Sequence, residues 1–149
     1  MNRLTFLFAL IVVVSGVAHG AQAEELVYYV QLVRGNDENQ PPAPGAKAIG
    51  PKLSESLHQV FRWKHYWEIS RQEVAIAAGA KTTVHLSNER AVEIDLSQPK
   101  KRKVTAISND KIVSSTTQPV NDAMTIIGAD RDLKSAWFVV ARRDKPPTE

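Results

Sequence analysis

The sequence predicts a mainly β (α+β) domain, an antiparallel sandwich or partly closed barrel with one short helix near the N-terminus. Three observations lead there. Short apolar runs recur at steady spacing, with Gly, Pro, Asn, Asp and Ser between them, the punctuation of strands joined by turns. One stretch alone carries a convincing helical period. Two runs, residues 26–33 and 136–141, are apolar at odd and even positions alike, so both faces of those strands are covered and they belong in the middle of a sheet.

Residues 1–23 read as a secretory signal peptide: Asn2-Arg3 supplies a short positive region, residues 4–17 are almost uninterruptedly apolar, and Ala21-Gln22-Ala23 is a small-residue cleavage site. An uncleaved anchor is the rival reading, disfavoured because the flank after the run is small and neutral. Cleavage near Ala23 implies export to the periplasm or the cell exterior. It leaves one β-rich domain over residues 24–145, a disordered tail over 146–149, and no transmembrane helix in the mature chain. There is no Cys, so an exported chain of this size depends on its core rather than on disulfides. A net charge of +3 is too small to imply a general affinity for polyanions.

Taken in order, residues 26–33 form the first strand, and Arg34-Gly35-Asn36-Asp37 ends it with turn-forming residues. Residues 36–50, with Pro41, Pro42, Pro44, Gly45 and Gly50, form a loop. Gly50 can cap a helix that Pro51 opens, since the first helical position needs no N–H. Leu53, Leu57, Val60 and Phe61 fall on one face of it. The stretch from Phe61 to Ile69, rich in aromatics, reads as a strand. Alternation places Phe61, Trp63, His65, Trp67 and Ile69 on its core face and Arg62, Lys64, Tyr66 and Glu68 on the other. Val74 and Ile76 are in phase. Residues 81–86 and 91–96 alternate as a hairpin pair, the latter with Val92, Ile94 and Leu96 inward and Glu93 and Asp95 outward. A basic turn over residues 98–103 leads into 104–107. Asn109-Asp110 is a two-residue hairpin turn, from which 111–116 returns. Gln118-Pro119 breaks the pattern. Residues 123–127 and 136–141 are the last strands, with a turn over 128–133 between them.

The alternating strand, Gly128 and the run from Trp137 to Ala141 bear a resemblance to the final hairpin of proteins from bacterial secretion and pilus systems. The pattern is common among β proteins, so it names no family and assigns no residue a role.

No motif for a nucleotide, a dinucleotide, zinc or a serine nucleophile is present, and the sequence assigns no catalytic, cofactor-binding or metal-binding residue. His58, His65 and His85 lie too far apart along the chain to form a local metal clamp. His65, between Trp63 and Trp67, reads first as a buried, hydrogen-bonded core residue, then as a pH-sensitive one. Asp130-Arg131-Asp132 lacks the further oxygens of a calcium loop and reads as a solvated turn.

Two surfaces could carry a partner. One is the outward face of the aromatic strand, Arg62, Lys64 and Tyr66, since Tyr and Arg are enriched at binding hot spots. The other is the run Lys100, Lys101, Arg102 and Lys103, whose plain reading is a solvated hairpin tip and whose functional reading is an anionic surface. The expectation is therefore an exported, non-catalytic protein-interaction or envelope-assembly module, contacting another envelope or secreted protein, with nucleic acid disfavoured. The alternative is a small exported ligand-binding protein or enzyme with its site near His65 and the Trp63/Trp67 face. A weaker one is polyanion binding through residues 100–103.

Overall fold

A computed structural model describes Gly20 and residues 22–147. The signal segment expected over residues 1–23 lies almost entirely outside the described residues, as do Thr148 and Glu149 of the expected tail. Among the described residues, no helix is long and apolar enough to cross a membrane.

The chain is an antiparallel β sandwich with one short helix, as the turn spacing predicts. The elements are β1 (Glu25–Asn36), β2 (Lys47–Ala48), α1 (Pro51–His58), β3 (His65–Ala77), β4 (Lys81–His85), β5 (Arg90–Asp95), β6 (Lys101–Ser108), β7 (Lys111–Pro119), β8 (Met124–Arg131) and β9 (Ser135–Arg142). One sheet has the order β2-β3-β1-β9-β8 and the other β4-β5-β6-β7. The four-stranded sheet is a plain meander. The turn at Ala78–Ala80 carries the chain into it, and β8 and β9 then return to the first sheet beside β1.

Both strands apolar on two faces are interior: β1 lies between β3 and β9, and β9 between β1 and β8. Their two faces feed two separate cores. Tyr28, Val30, Leu32, Val139 and Ala141 meet Val92, Ile94, Val104 and Ala106 between the sheets. On the outer face of the five-stranded sheet, Val33, Phe138 and Val140 meet Leu53 and Leu57 of α1 together with Trp63 and Tyr66. The molecule therefore has three layers: helix, sheet and sheet. Gly50 caps α1 and Pro51 stands in its first turn, as the sequence predicts. The helix stops at His58, so Val60 is left 73% exposed while Phe61 joins the outer core from a loop.

The aromatic stretch departs from expectation. Residues 61–64 are not strand; they are a loop folded over the outer face, and β3 begins at His65. Tyr66, expected on an exposed interaction face, is buried against Phe138 and the helix layer. The reason is that α1 covers the face that alternation assigned to solvent. His65 and Trp67 take the opposite side and are half-buried, with the Trp67 indole N–H donating to Asn36 Oδ1 at 3.1 Å. A register shift then lets Glu68 pair with Val33 and Ser70 with Leu32, leaving Ile69 as the extra residue of a bulge. Because side chains alternate with period two, one extra residue exchanges the faces of everything after it. Thus Val74 and Ile76 pack between the sheets, whereas Tyr66 packs outside.

Other boundaries also differ: β2 lies within the stretch 36–50 read as a loop, and β6 starts at Lys101 rather than at 104. β1 runs through Gly35 to Asn36, both paired with β3 and β9. β7 runs through Gln118 to Pro119, tolerable because β7 is an edge strand. β8 runs past Gly128 to Arg131 through an irregular register. Pro146, expected in a disordered tail, is buried, with its carbonyl accepting from Arg71.

Candidate interaction groove

Asn109 and Asp110 both take positive φ, the conformation a two-residue hairpin turn demands, so the β6–β7 tip is local chemistry. The wider turn between β8 and β9 is built by a side chain. Asp132 Oδ1 accepts from the backbone N–H groups of Lys134 and Ser135, each at 2.7 Å. These N–H donors, that of Lys134 first, hold the Asp132 carboxyl below the usual carboxylate range, with the Ser135 hydroxyl adding to the effect. With the turn pinned by Asp132, Leu133 projects outward and is 94% exposed.

Facing that turn is the loop after α1. Its anchors, Phe61 and Trp63, are held in the outer core, which lifts Val60 and Arg62 to the surface. The loop and the turn form the two lips of an open groove of about 910 Å³. Trp63, Trp137 and Phe138 contribute to its aromatic walls, and Val60 and Leu133 to its apolar rims. Arg62 lies over the Trp63 ring at 5.0 Å, a cation–π contact.

The far wall is braced from the other sheet. Arg90 of β5 grips Asp130 of β8 through two hydrogen bonds of 3.0 and 2.8 Å, and its guanidinium stacks 3.9 Å from the Trp137 ring centroid. The Arg90 side chain is only 11% exposed, so this forked, partly desolvated contact holds better than a surface ion pair. The groove is therefore mounted on both sheets, and Asp130, read as part of a solvated turn, is a structural brace.

The residues singled out in the sequence separate. Arg62 lines the groove. Lys64 is exposed beside it, with its backbone N–H donating to Asp37. Tyr66 is buried; burial pushes its hydroxyl pKa up, and the oxygen has no hydrogen-bond partner among the described residues. His65 and Trp67 do not line the groove, although Trp63 does.

The basic run also divides. Lys100, Lys101 and Lys103 are exposed, but Arg102 is fully buried. β6 starts at Lys101, so strict alternation turns Arg102 inward on the same face as Val104 and Ala106. Inside, its guanidinium donates to Thr125 Oγ1 at 3.1 and 2.7 Å and to the carbonyls of Val120 and Asp122. It also lies 5.4 Å from the Tyr28 ring centroid. The expected solvated tip of four cations is thus three cations and a structural arginine.

Sequence reasoning missed Val60, Leu133 and Trp137 as parts of one surface. Their proximity comes from the β8–β9 hairpin meeting a loop more than seventy positions earlier in the chain (Val60 against Leu133), which no local spacing encodes. No family model matches the chain, and neither a curated protein nor a solved structure is significantly similar to it.

The turn carries a pH prediction. The carboxyl of Asp132 has a lowered pKa when folded, so its contribution is fully present above the ordinary value of 3.8 and is lost as pH falls through the lowered value. Amide exchange at Lys134 and Ser135 should accelerate across that acid range relative to the strand interiors. In Asp132→Asn the pH-dependent part should disappear. Unchanged protection of both amides down to about pH 2 would show that the carboxylate does not hold the turn.

Proposed function

We propose that this chain is an exported, non-catalytic protein-interaction module whose groove takes an apolar side chain from an extended segment of an envelope or secreted partner. The observation that carries this reading is the pairing of Leu133, 94% exposed, and Val60, 73% exposed, on the rims of an aromatic-walled groove. Scattered apolar surface residues need no explanation, but a concave cluster of them is a recognition feature. An aromatic floor gives a partner side chain a desolvated seat, and Arg62 at the rim supplies a polar contact; that is how binding energy concentrates at hot spots.

The other surfaces support binding less well. Burial of Tyr66 and Arg102 removes one residue from each surface the sequence offered, and Lys100, Lys101 and Lys103 do not line the groove.

The test is crosslinked capture from the envelope of the native host, using the tagged mature chain and a Leu133→Asp variant. Leu133 makes little contact in the fold, so Leu133→Asp should keep its melting temperature. It should weaken partner binding by at least about thirtyfold, the effect of losing a hot spot worth about 2 kcal/mol. Replacing Lys100, Lys101 and Lys103 with Ser should leave capture intact. Undiminished capture with Leu133→Asp would rule out the groove. A chain that captures nothing would favour the ligand-binding alternative.

A further inference from the structure

A second cavity, of about 290 Å³, opens beside the N-terminus of α1 and is distinct from the groove. It is lined by Gln31 of β1, which is 2% exposed. The Gln31 Nε2 donates to the carboxylate of Glu68, but its Oε1 has no partner among the described residues. A buried amide oxygen without a donor is uncommon enough to need a cause.

The surroundings are cationic. Lys47, Lys52, Arg71, Arg142 and Lys145 line the cavity against only two carboxylates, Glu68 and Asp144. Arg142 is 4% exposed and is paired with Asp144. The first turn of α1 also borders the cavity. Gly50 gives it no side-chain cap, and it contains no acidic residue, so neither the cap nor the first turn itself offsets the positive end of the helix; the Asp144 carboxylate lies 3.8 Å from Lys52 Nζ.

The cavity carries its own cover. Arg71 Nη1 donates to the carbonyl of Pro146 at 3.2 Å and Nη2 to that of Pro147 at 3.1 Å. The Arg71 Nε and Nη2 also grip the Glu68 carboxylate at 3.1 and 2.9 Å, so the neutral carbonyls occupy the remaining Nη1/Nη2 edge, which would bind an oxyanion more strongly. Pro146 and Pro147 have no N–H, so the segment lying over the cavity cannot give Gln31 the donor it lacks.

From this geometry we infer that the cavity is a binding site for a small oxyanion that also carries an O–H or N–H donor. The anionic oxygens engage Arg71 and the N-terminus of α1, the donor satisfies Gln31 Oε1, and the 146–147 segment is a strap that the ligand displaces. The site does not depend on the interaction groove.

Matched probe pairs test it on the unaltered mature chain: citrate against tricarballylate, and glycerol 3-phosphate against propyl phosphate. Each pair differs in hydroxyl groups, and the two pairs separate carboxylate from phosphate. Binding is read by side-chain NMR shifts of Gln31 and Arg71. The hydroxylated member of at least one pair should bind about three- to tenfold more tightly, the value of one hydrogen bond. Gln31→Leu should abolish that preference, and Arg71→Lys should weaken binding of the oxyanion itself about tenfold. A chain ending at Lys145 should bind more tightly than the full chain. Equal binding within both pairs, or shifts that avoid Gln31 and Arg71, would overturn the site; unaltered or weaker affinity in the shortened chain would overturn the strap.

Discussion

Arg102→Ala should be severely destabilising, by about 3 kcal/mol, although the sequence places Arg102 in a run of surface-type cations. The side chain is fully buried. Its guanidinium organises Thr125 and two carbonyls in the segment that brings the chain from β7 back to β8. Removal would leave those carbonyls without their donor and open a void beside Tyr28. Thr125 retains one bond, donated to Gln118 Oε1 at 2.7 Å, so the network would be partly rather than wholly lost. Arg102→Lys keeps the charge but not the planar fork and should recover only part of the loss. The control is sharp: replacing Lys100, Lys101 and Lys103 together with Ser should change stability by no more than about 0.5 kcal/mol. Urea unfolding midpoints distinguish the two. An Arg102→Ala midpoint close to that of the unaltered chain would mean that the buried network contributes nothing.

Gly35→Ala should cost about 1–3 kcal/mol, an overpacking loss from adding one methyl group. A Cβ at position 35 would lie 2.7 Å from Trp63 Cδ1, 3.0 Å from Trp63 Cγ and 3.0 Å from Tyr66 Cε1. Both rings are buried in the outer core, and the closest atoms lie near the root of the Trp63 side chain, where little movement is available. Glycine is needed here for space: the positive-φ glycines are Gly45 and Gly79. Because Trp63 is one wall of the groove, Gly35→Ala should also weaken partner binding. Denaturant unfolding and the near-ultraviolet signal of the tryptophans report the two effects. Stability within about 0.5 kcal/mol of the unaltered chain would show that the rings yield freely.

These two residues show where local reading stops. Arg102 sits in a basic run, and composition says that such runs are solvated. Its inward orientation follows from the phase of β6, which depends on the residue at which the strand begins. Gly35 sits in an Arg-Gly-Asn-Asp string that reads as a turn. It remains in a strand because β3 and β9 flank it on both sides and Trp63 requires the missing Cβ.

The candidate site divides in the same way. Arg62 was legible as a surface residue of an aromatic segment. The groove around it was not, because its opposite lip is supplied by Asp132 and Leu133 at the other end of the chain. The cavity at Gln31 was likewise invisible: Gln31 stands in an apolar strand, and only the closure of α1, β3 and the segment after β9 surrounds it.

By itself the sequence determined a mainly β domain, sandwich or partly closed barrel, with its single short helix, the two interior strands and the β6–β7 hairpin turn. Each of these rests on local physics: side-chain periodicity, backbone-restricting residues and turn conformations that few residue types adopt. The alternation also placed Val92 and Ile94 of β5, and Leu96 just after it, inward, as they are. The tertiary structure alone decided that two separate sheets make the domain a sandwich, which face of β3 is inside, that Arg102 points inward, and which residues share a surface. The physical reason is that a single bulge at Ile69 exchanges the faces of β3, and a covering helix turns an exposed face into a core, so burial depends on partners far away in the chain.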